Sequence, residues 1–352
     1  MNTLSITALE EGIGKTAITL ALAEIARSNG STIGYMKPKG TRLESHVGKV
    51  IDSDPLFARE QLGLDAELED LEPIVYSPTF IENAVRGQED AATLRERVQE
   101  VFAELARDRD VMFVEGAGRI DMGAIIELTD RDIAELLGAR VVLVAGYERF
   151  GDLDRVIHSA STFGDAFAGV LFNRVRDHGV DQLTRDGIPF LERRGYPVLG
   201  VIPHDRELAG VTVSDLANEL GAQALTTAGS DAIVERFLVG AMSGETALRH
   251  FRRSRNTAVV TGGDRADIHA AAIEASGVTC LVVTGGLRPS AQILREAAEA
   301  DLTVLALDAD TLSAVERAEQ IVRSGRTRDA ETVRRIVRYM REHVDVDRVF
   351  GT

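Results

Sequence analysis

Residues 1–16 read MNTLSITALEEGIGKT. Leu4–Leu9 is a short apolar run with little polar alternation, which predicts a strand covered on both faces. Thr16–Arg27 carries helical periodicity, so EEGIGKT at residues 10–16 is a loop between a strand and a helix. A phosphate-binding loop needs this arrangement. The backbone of Gly12, Ile13 and Gly14 curls to aim N–H groups at phosphate oxygens, Lys15 reaches the β and γ phosphates, and the Thr16 hydroxyl holds Mg²⁺. The loop departs from GxxxxGK[ST], because Leu9 stands where the first glycine belongs. The alternative is a plain strand-to-helix turn.

Further strands are expected at Thr32–Lys37, Val111–Glu115, Val141–Ala145, Ala168–Asn173 and Val198–Pro203, with helical stretches at Ala91–Ala106, Asp130–Leu137 and Leu153–Thr162. Strand and helix in alternation predict an α/β fold: a P-loop NTPase-type parallel sheet with helices on both faces. After Pro203 the texture changes to a smaller α/β domain with strands at Thr257–Val260, Cys280–Val283 and Thr303–Leu307. VVTGGDRADIHAAA and VVTGGLRPSAQILREA repeat within it at an offset of 23 residues. Each TGG turn opens a helix and offers N–H groups to an anion, with polar support from Asp264, Arg265 and Asp267, or simply makes a tight turn. The expected domains are 1–207, 208–327 and a C-terminal helical segment, 328–352, with Val333, Val337, Met340 and Val344 on one stripe.

Composition narrows the function. A chain of 352 residues suggests two domains at roughly 150 residues each. With 40 basic and 56 acidic side chains the net charge is −16, which argues against a general nucleic-acid binder. Cys280 stands alone, excluding an intrachain disulfide and a multi-thiolate zinc site. No apolar run approaches the roughly 18 residues of a membrane span, and the N-terminus lacks a basic leader, so a soluble cytoplasmic protein without a membrane partner is expected. Only four of the basic residues are lysine (Lys15, Lys37, Lys39 and Lys49), and all lie in the first fifty positions. Acid-rich, lysine-poor composition fits a halophile's salt-rich cytoplasm or, equally, a GC-rich genome. Gathering the lysines in one place implies an anion there.

Two further motifs follow the loop. GYMKPKG at residues 34–40 ends the second strand, where Lys37 and Lys39 would point from the carboxyl edge of the sheet, or be solvated loop charges. VMFVEGAGR at residues 111–119 buries four apolar residues and lets Glu115 emerge at the strand tip. An acid there can ligate Mg²⁺ directly or through water, or merely cap the following turn. The seven histidines show no pair at metal-ligand spacing, and His204 in VIPHD is the one expected to face a nucleotide.

These three motifs, in this order, resemble dethiobiotin synthetase and its relatives over about residues 1–205. The resemblance implies that ATP and Mg²⁺ are cofactors and that Lys37 contacts the substrate or the transferred phosphoryl group. It further implies that Asp54 and Glu115 complete the metal shell with Thr16, that Glu10 stands near the metal, and that Asn173 reads adenine. In that family the acceptor site lies between two subunits, which implies a homodimer. The family's VEGAGG is VEGAGR here, and Arg119 suggests a more anionic substrate than that of biotin synthesis, with Lys37 and Lys39 beside it. The architecture resembles more nearly the N-terminal part of some phosphate acetyltransferases, where a synthetase-like unit precedes a DRTGG domain; residues 208–327 resemble the latter. The acetyltransferase catalytic domain would need about three hundred further residues, so that activity is not expected of residues 1–352 alone.

Two functions remain open. One is nucleotide-dependent regulation, with a protein partner in acyl-phosphate metabolism. The other is an ATP-dependent synthetase that phosphorylates a carboxylate or carbamate, with Lys15 and Lys37 as catalytic groups.

Overall fold

Thr3, Ser5 and Thr7 alternate with Leu4, Ile6 and Ala8 along the first strand, Asn2–Ala8, and all six are buried. Small hydroxyls replace aliphatic groups on one face, so both faces can be covered although only one is apolar. The computed structural model of the chain describes every residue except Arg42, Val47, Gly48, Arg206, Glu207, Ala209, residues 325–329 and Thr352. The expected domain limits at 207 and 327 fall on residues outside the described set.

The chain forms two compact units, Met1–His204 with Thr327–Thr352, and Asp205–Arg326. The first is built on a six-stranded sheet whose order, from edge to edge, is Val198–Pro203, Phe167–Val175, Arg140–Ala145, Asn2–Ala8, Val111–Glu115, Ile33–Met36. Every pairing is parallel. The register Ile6↔Glu115 and Met36↔Val114 brings the carboxyl ends of these strands to one edge. The helix Lys15–Ser28 follows the first strand, and eleven of its fourteen residues are buried. A helix that is apolar all round needs cover on every side. The sheet supplies one side and the helix Ala330–His343 another, through Val333 and Met340. Val344 and the amide of Asp345 then meet Gly200 and Leu199 of the edge strand, so the C-terminal segment is part of this unit's core.

The second unit is a five-stranded sheet in the order Gln223–Ala224, Thr303–Ala306, Val278–Thr284, Thr257–Gly262, Arg236–Val239. The first of these runs antiparallel and the rest parallel. The repeated strands are neighbours, with Gly262 opposite Thr284. Helix Val213–Leu220 and Thr311–Ser324 cover one face, and Gly244–Phe251, Ala266–Glu274 and Ala291–Glu299 the other. Arg236–Val239 is a strand that the sequence does not mark, because RFLV is short and half-exposed and has no periodicity. Among the described residues no helix is long and apolar enough to cross a membrane.

Candidate nucleotide site

The loop after the first strand is shaped by two glycines in the left-handed region, Gly12 at φ +72° and Gly14 at φ +98°. Gly14 caps the helix Lys15–Ser28 and contributes no side-chain acceptor, so the helix presents uncapped N–H groups to whatever sits before it. Asn173, from the end of a neighbouring strand, donates through Nδ2 to the Ile13 carbonyl at 2.7 Å and accepts from the Arg174 amide at 2.9 Å. A Cβ on Gly14 would lie 2.8 Å from that Nδ2. Asn173 therefore braces the loop, a duty that its sequence position did not disclose.

Five expected residues converge at the carboxyl edge. Lys15 donates to the Gly118 carbonyl at 2.8 Å, and the Thr16 hydroxyl donates to Glu115 Oε1 at 2.5 Å. Tyr35, unremarked in the sequence, donates to Glu115 Oε2 at 2.9 Å and so fixes the carboxylate from its other side. Burial, reinforced by the charge of Asp54, pushes Glu115 up to about 7, while Lys37, Thr16 and Lys15 pull the other way. Lys37 Nζ lies 2.8 Å from Asp52 Oδ2 and 2.5 Å from Asp54 Oδ2. Burial alone would lower its ammonium, but the two carboxylates outweigh it and hold Lys37 above its ordinary value. Asp52 caps the helix Ser53–Leu62 by accepting from the Asp54 amide, which places Asp54 in the first turn facing this cluster.

Thr16, Asp54 and Glu115 form a hydroxyl-and-carboxylate donor set of the kind Mg²⁺ takes. Among the described residues no group of three or more His, Cys, Asp or Glu side chains could hold a metal ion by itself. Such a set fits an ion that keeps several waters and arrives on phosphates, rather than one caged by protein.

Three expected residues are placed elsewhere. Lys39, expected to face substrate, is sealed inside: its ammonium donates to the carbonyls of Met122 (2.6 Å) and Leu128 and pairs with Asp130 at 3.3 Å. Burial lowers its pKa, and its role is to tie down the segment after Glu115. Asp130 completes that tie by accepting from Thr7. Arg119 keeps 54% of its side chain exposed and pairs with Asp121 at 3.0 Å. Glu10, expected near the metal, is turned to Arg155 at 2.5 Å.

A cavity of about 670 Å³ adjoins the loop at the ends of the first, fourth and fifth strands in sequence, walled by Leu9, Ile13, Tyr147, Asn173 and Arg174. Its size suits a small organic ligand. The histidine on its wall is His178, not His204. In the second unit the expected anion-binding turns are occupied by the chain itself. The amides of Gly263, Gly285 and Gly286 donate to the carbonyls of Thr284, Ala309 and Leu307, and Asp267 accepts from the Gly244 amide. Arg265 donates to Met242. These groups make tight strand-to-helix turns.

Residues 2–212, more than half of the chain, match the AAA domain family, and residues 215–321 match the DRTGG domain. The chain belongs to the AAA domain family. Within it the first unit is of the dethiobiotin synthetase-like P-loop kind, and it is joined to a DRTGG domain, as in the N-terminal part of some phosphate acetyltransferases. Phosphate acetyltransferase of Pseudomonas putida is 26% identical over 98% of this chain, and the chain spans 51% of that relative's length. The ATP-dependent dethiobiotin synthetase BioD of Pseudomonas aeruginosa is 30% identical, aligned over 59% of this chain and 92% of its own. Among solved structures, the MinD cell division protein of Aquifex aeolicus is 16% identical and covers 59% of this chain and 84% of its own, at a TM-score of 0.35.

Proposed function

We propose that this family member binds MgATP and acts as a nucleotide-dependent regulator related to the N-terminal part of phosphate acetyltransferases. The observation that carries the nucleotide reading is the joint placement of Lys15, Thr16 and Glu115 behind an uncapped helix N-terminus. The triphosphate would lie over the amides of Gly12–Thr16, with Lys15 on the β and γ phosphates. Mg²⁺ would be held by Thr16, Asp54 and Glu115, where it supplies charge neutralisation, and the nucleoside would enter the cavity beside Asn173 and Tyr147. The regulatory reading draws on the DRTGG unit and on the alignment with an acetyltransferase through nearly all of the chain. The partner would be a protein that makes or uses an acyl phosphate, and the assembly a homodimer.

Lys37 favours a second reading. A buried ammonium aimed at the same edge as Lys15 could hold a carboxylate or carbamate acceptor while ATP phosphorylates it, with Arg119 at the outer rim. Phosphate release from ATP across a panel of carboxylates and amines separates the two. Release that rises with one acceptor establishes the synthetase. No release under any acceptor, together with ATP-dependent binding to an acetyltransferase domain, establishes the regulator. Light scattering reads the dimer in the same samples.

A further inference from the structure

One acid is enough to neutralise one ammonium, yet Lys37 has two. Its side chain is 2% exposed, and Asp52 and Asp54 are buried beside it. Burying a second carboxylate against a cation that is already paired carries a desolvation penalty that charge neutralisation alone does not call for. The two acids are also fixed differently. Asp52 is gripped on every side: Oδ2 accepts from the Thr41 amide at 2.6 Å, Oδ1 from the Asp54 amide at 2.8 Å, and its own amide donates to Glu72 Oε2 at 2.7 Å. It cannot swing away without uncapping the helix Ser53–Leu62. Asp54 sits in the first turn of that helix, and its charge is felt by Glu115. The Lys37 main chain is pinned by donation to the Leu71 carbonyl at 2.8 Å, so the direction of its ammonium is left to the two carboxylates.

We propose that Asp52 is a positioning residue: it keeps the Lys37 ammonium in the site when Asp54 serves a divalent cation, so that the cation frees one side of the lysine for an incoming anion without releasing it. The inference rests on the nucleotide reading above. It makes cation and anion binding mutually reinforcing, because each relieves the same shared pairing. With Asp54 alone, a cation and the Lys37 ammonium would compete for one carboxylate.

The chain has only four lysines, so a ¹⁵Nζ-lysine spectrum contains at most four ammonium signals, and Lys37→Arg identifies the one to follow. Calorimetry with Mg²⁺ and the non-hydrolysable analogue AMP-PNP comes first. Absence of binding by the wild-type chain would overturn the nucleotide reading itself. With binding established, the wild type should keep the Lys37 signal before and after adding Mg·AMP-PNP. Asp52→Asn should show it before addition and lose it after. Asp54→Asn should show it in both conditions, while the Mg²⁺ enhancement of AMP-PNP affinity falls at least tenfold. An Asp52→Asn protein that keeps the signal with Mg·AMP-PNP bound, or lacks it beforehand, overturns the proposal. Should Asp52→Asn fail to fold, the Asp54→Asn spectra decide alone: loss of the Lys37 signal there means that Asp52 does not hold the lysine.

Discussion

The ammonium of Lys15 donates to the main-chain carbonyl of Gly118 at 2.8 Å, joining the phosphate loop to the segment that follows Glu115. Burial holds that ammonium below its ordinary value, although Glu115 and Asp130 draw it upward. A phosphate in the loop would supply the strong counter-charge that a neutral carbonyl does not. Lys15→Ala should therefore lose most of the calorimetric heat of MgATP binding; micromolar affinity in the wild type corresponds to a binding free energy of about −8 kcal/mol. Equal binding by the variant would remove the phosphate-loop assignment.

Asn173→Ala is expected to weaken ATP and GTP alike, by about tenfold. Both ends of the Asn173 amide engage the main chain of the loop and its own strand, so its loss slackens the phosphate cradle rather than one base edge. Competition between the two nucleotides measures this. A change of purine preference with little loss of overall affinity would assign Asn173 to the base after all.

Removing Lys37 leaves Asp52 and Asp54 facing each other in a buried site. Lys37→Met should cost about 3 kcal/mol of unfolding free energy, the usual cost of orphaning a buried charge. Adding Asp52→Asn to that variant should recover about 1 kcal/mol, because the surviving Asp54 carboxylate then has one like-charged neighbour fewer. Denaturant titration of the four chains in the cycle gives the coupling, and strictly additive effects would show that the two side chains act independently.

Glu72 makes the fold sensitive to pH. Its side chain is 5% exposed, Oε1 has no hydrogen-bond partner, and burial pushes its pKa from 4.5 up to about 7, with the Asp52 amide pulling it down and the Asp52 charge adding to the rise. Between those two values the folded chain retains a proton that the unfolded chain has released. Stability contributed by this group is therefore full below about pH 4.5 and is lost as pH rises to about 7, by on the order of 2 kcal/mol. Glu72→Gln should flatten that part of the stability profile and be the more stable protein above pH 7. Parallel profiles for the two proteins would place the source of the slope in another group.

The strands of the first unit's sheet were legible to within a residue or two, because strands covered on both faces are short runs of apolar and small side chains whatever they pack against. Val111–Glu115 begins and ends where its composition does. The phosphate loop was legible for a related reason: glycines, a lysine and a threonine at those spacings are a local requirement of backbone geometry and need no distant partner. Glu72, Asp52 and Tyr35 left no such trace. Each lies in an unremarkable stretch and matters only because folding delivers Asp52 to Lys37, Tyr35 to Glu115 and Glu72 to the Asp52 amide.

Lys39 and Asn173 mark the same boundary from the other side. Their types and their places at strand ends were plain in the sequence, but a lysine at the carboxyl edge can face either a ligand or the protein's own carbonyls. Packing of the segment between Glu115 and Asp130 turned Lys39 inward, where Met122, Leu128 and Asp130 satisfy it. Local sequence thus established which elements form and where an anion could be held, since both depend on short-range sterics and on the burial of each strand. Which charged groups meet there, and which are used up in holding the site together, depends on contacts between residues as far apart as Thr16 and Glu115, and these exist only once the sheet and its covering helices have packed.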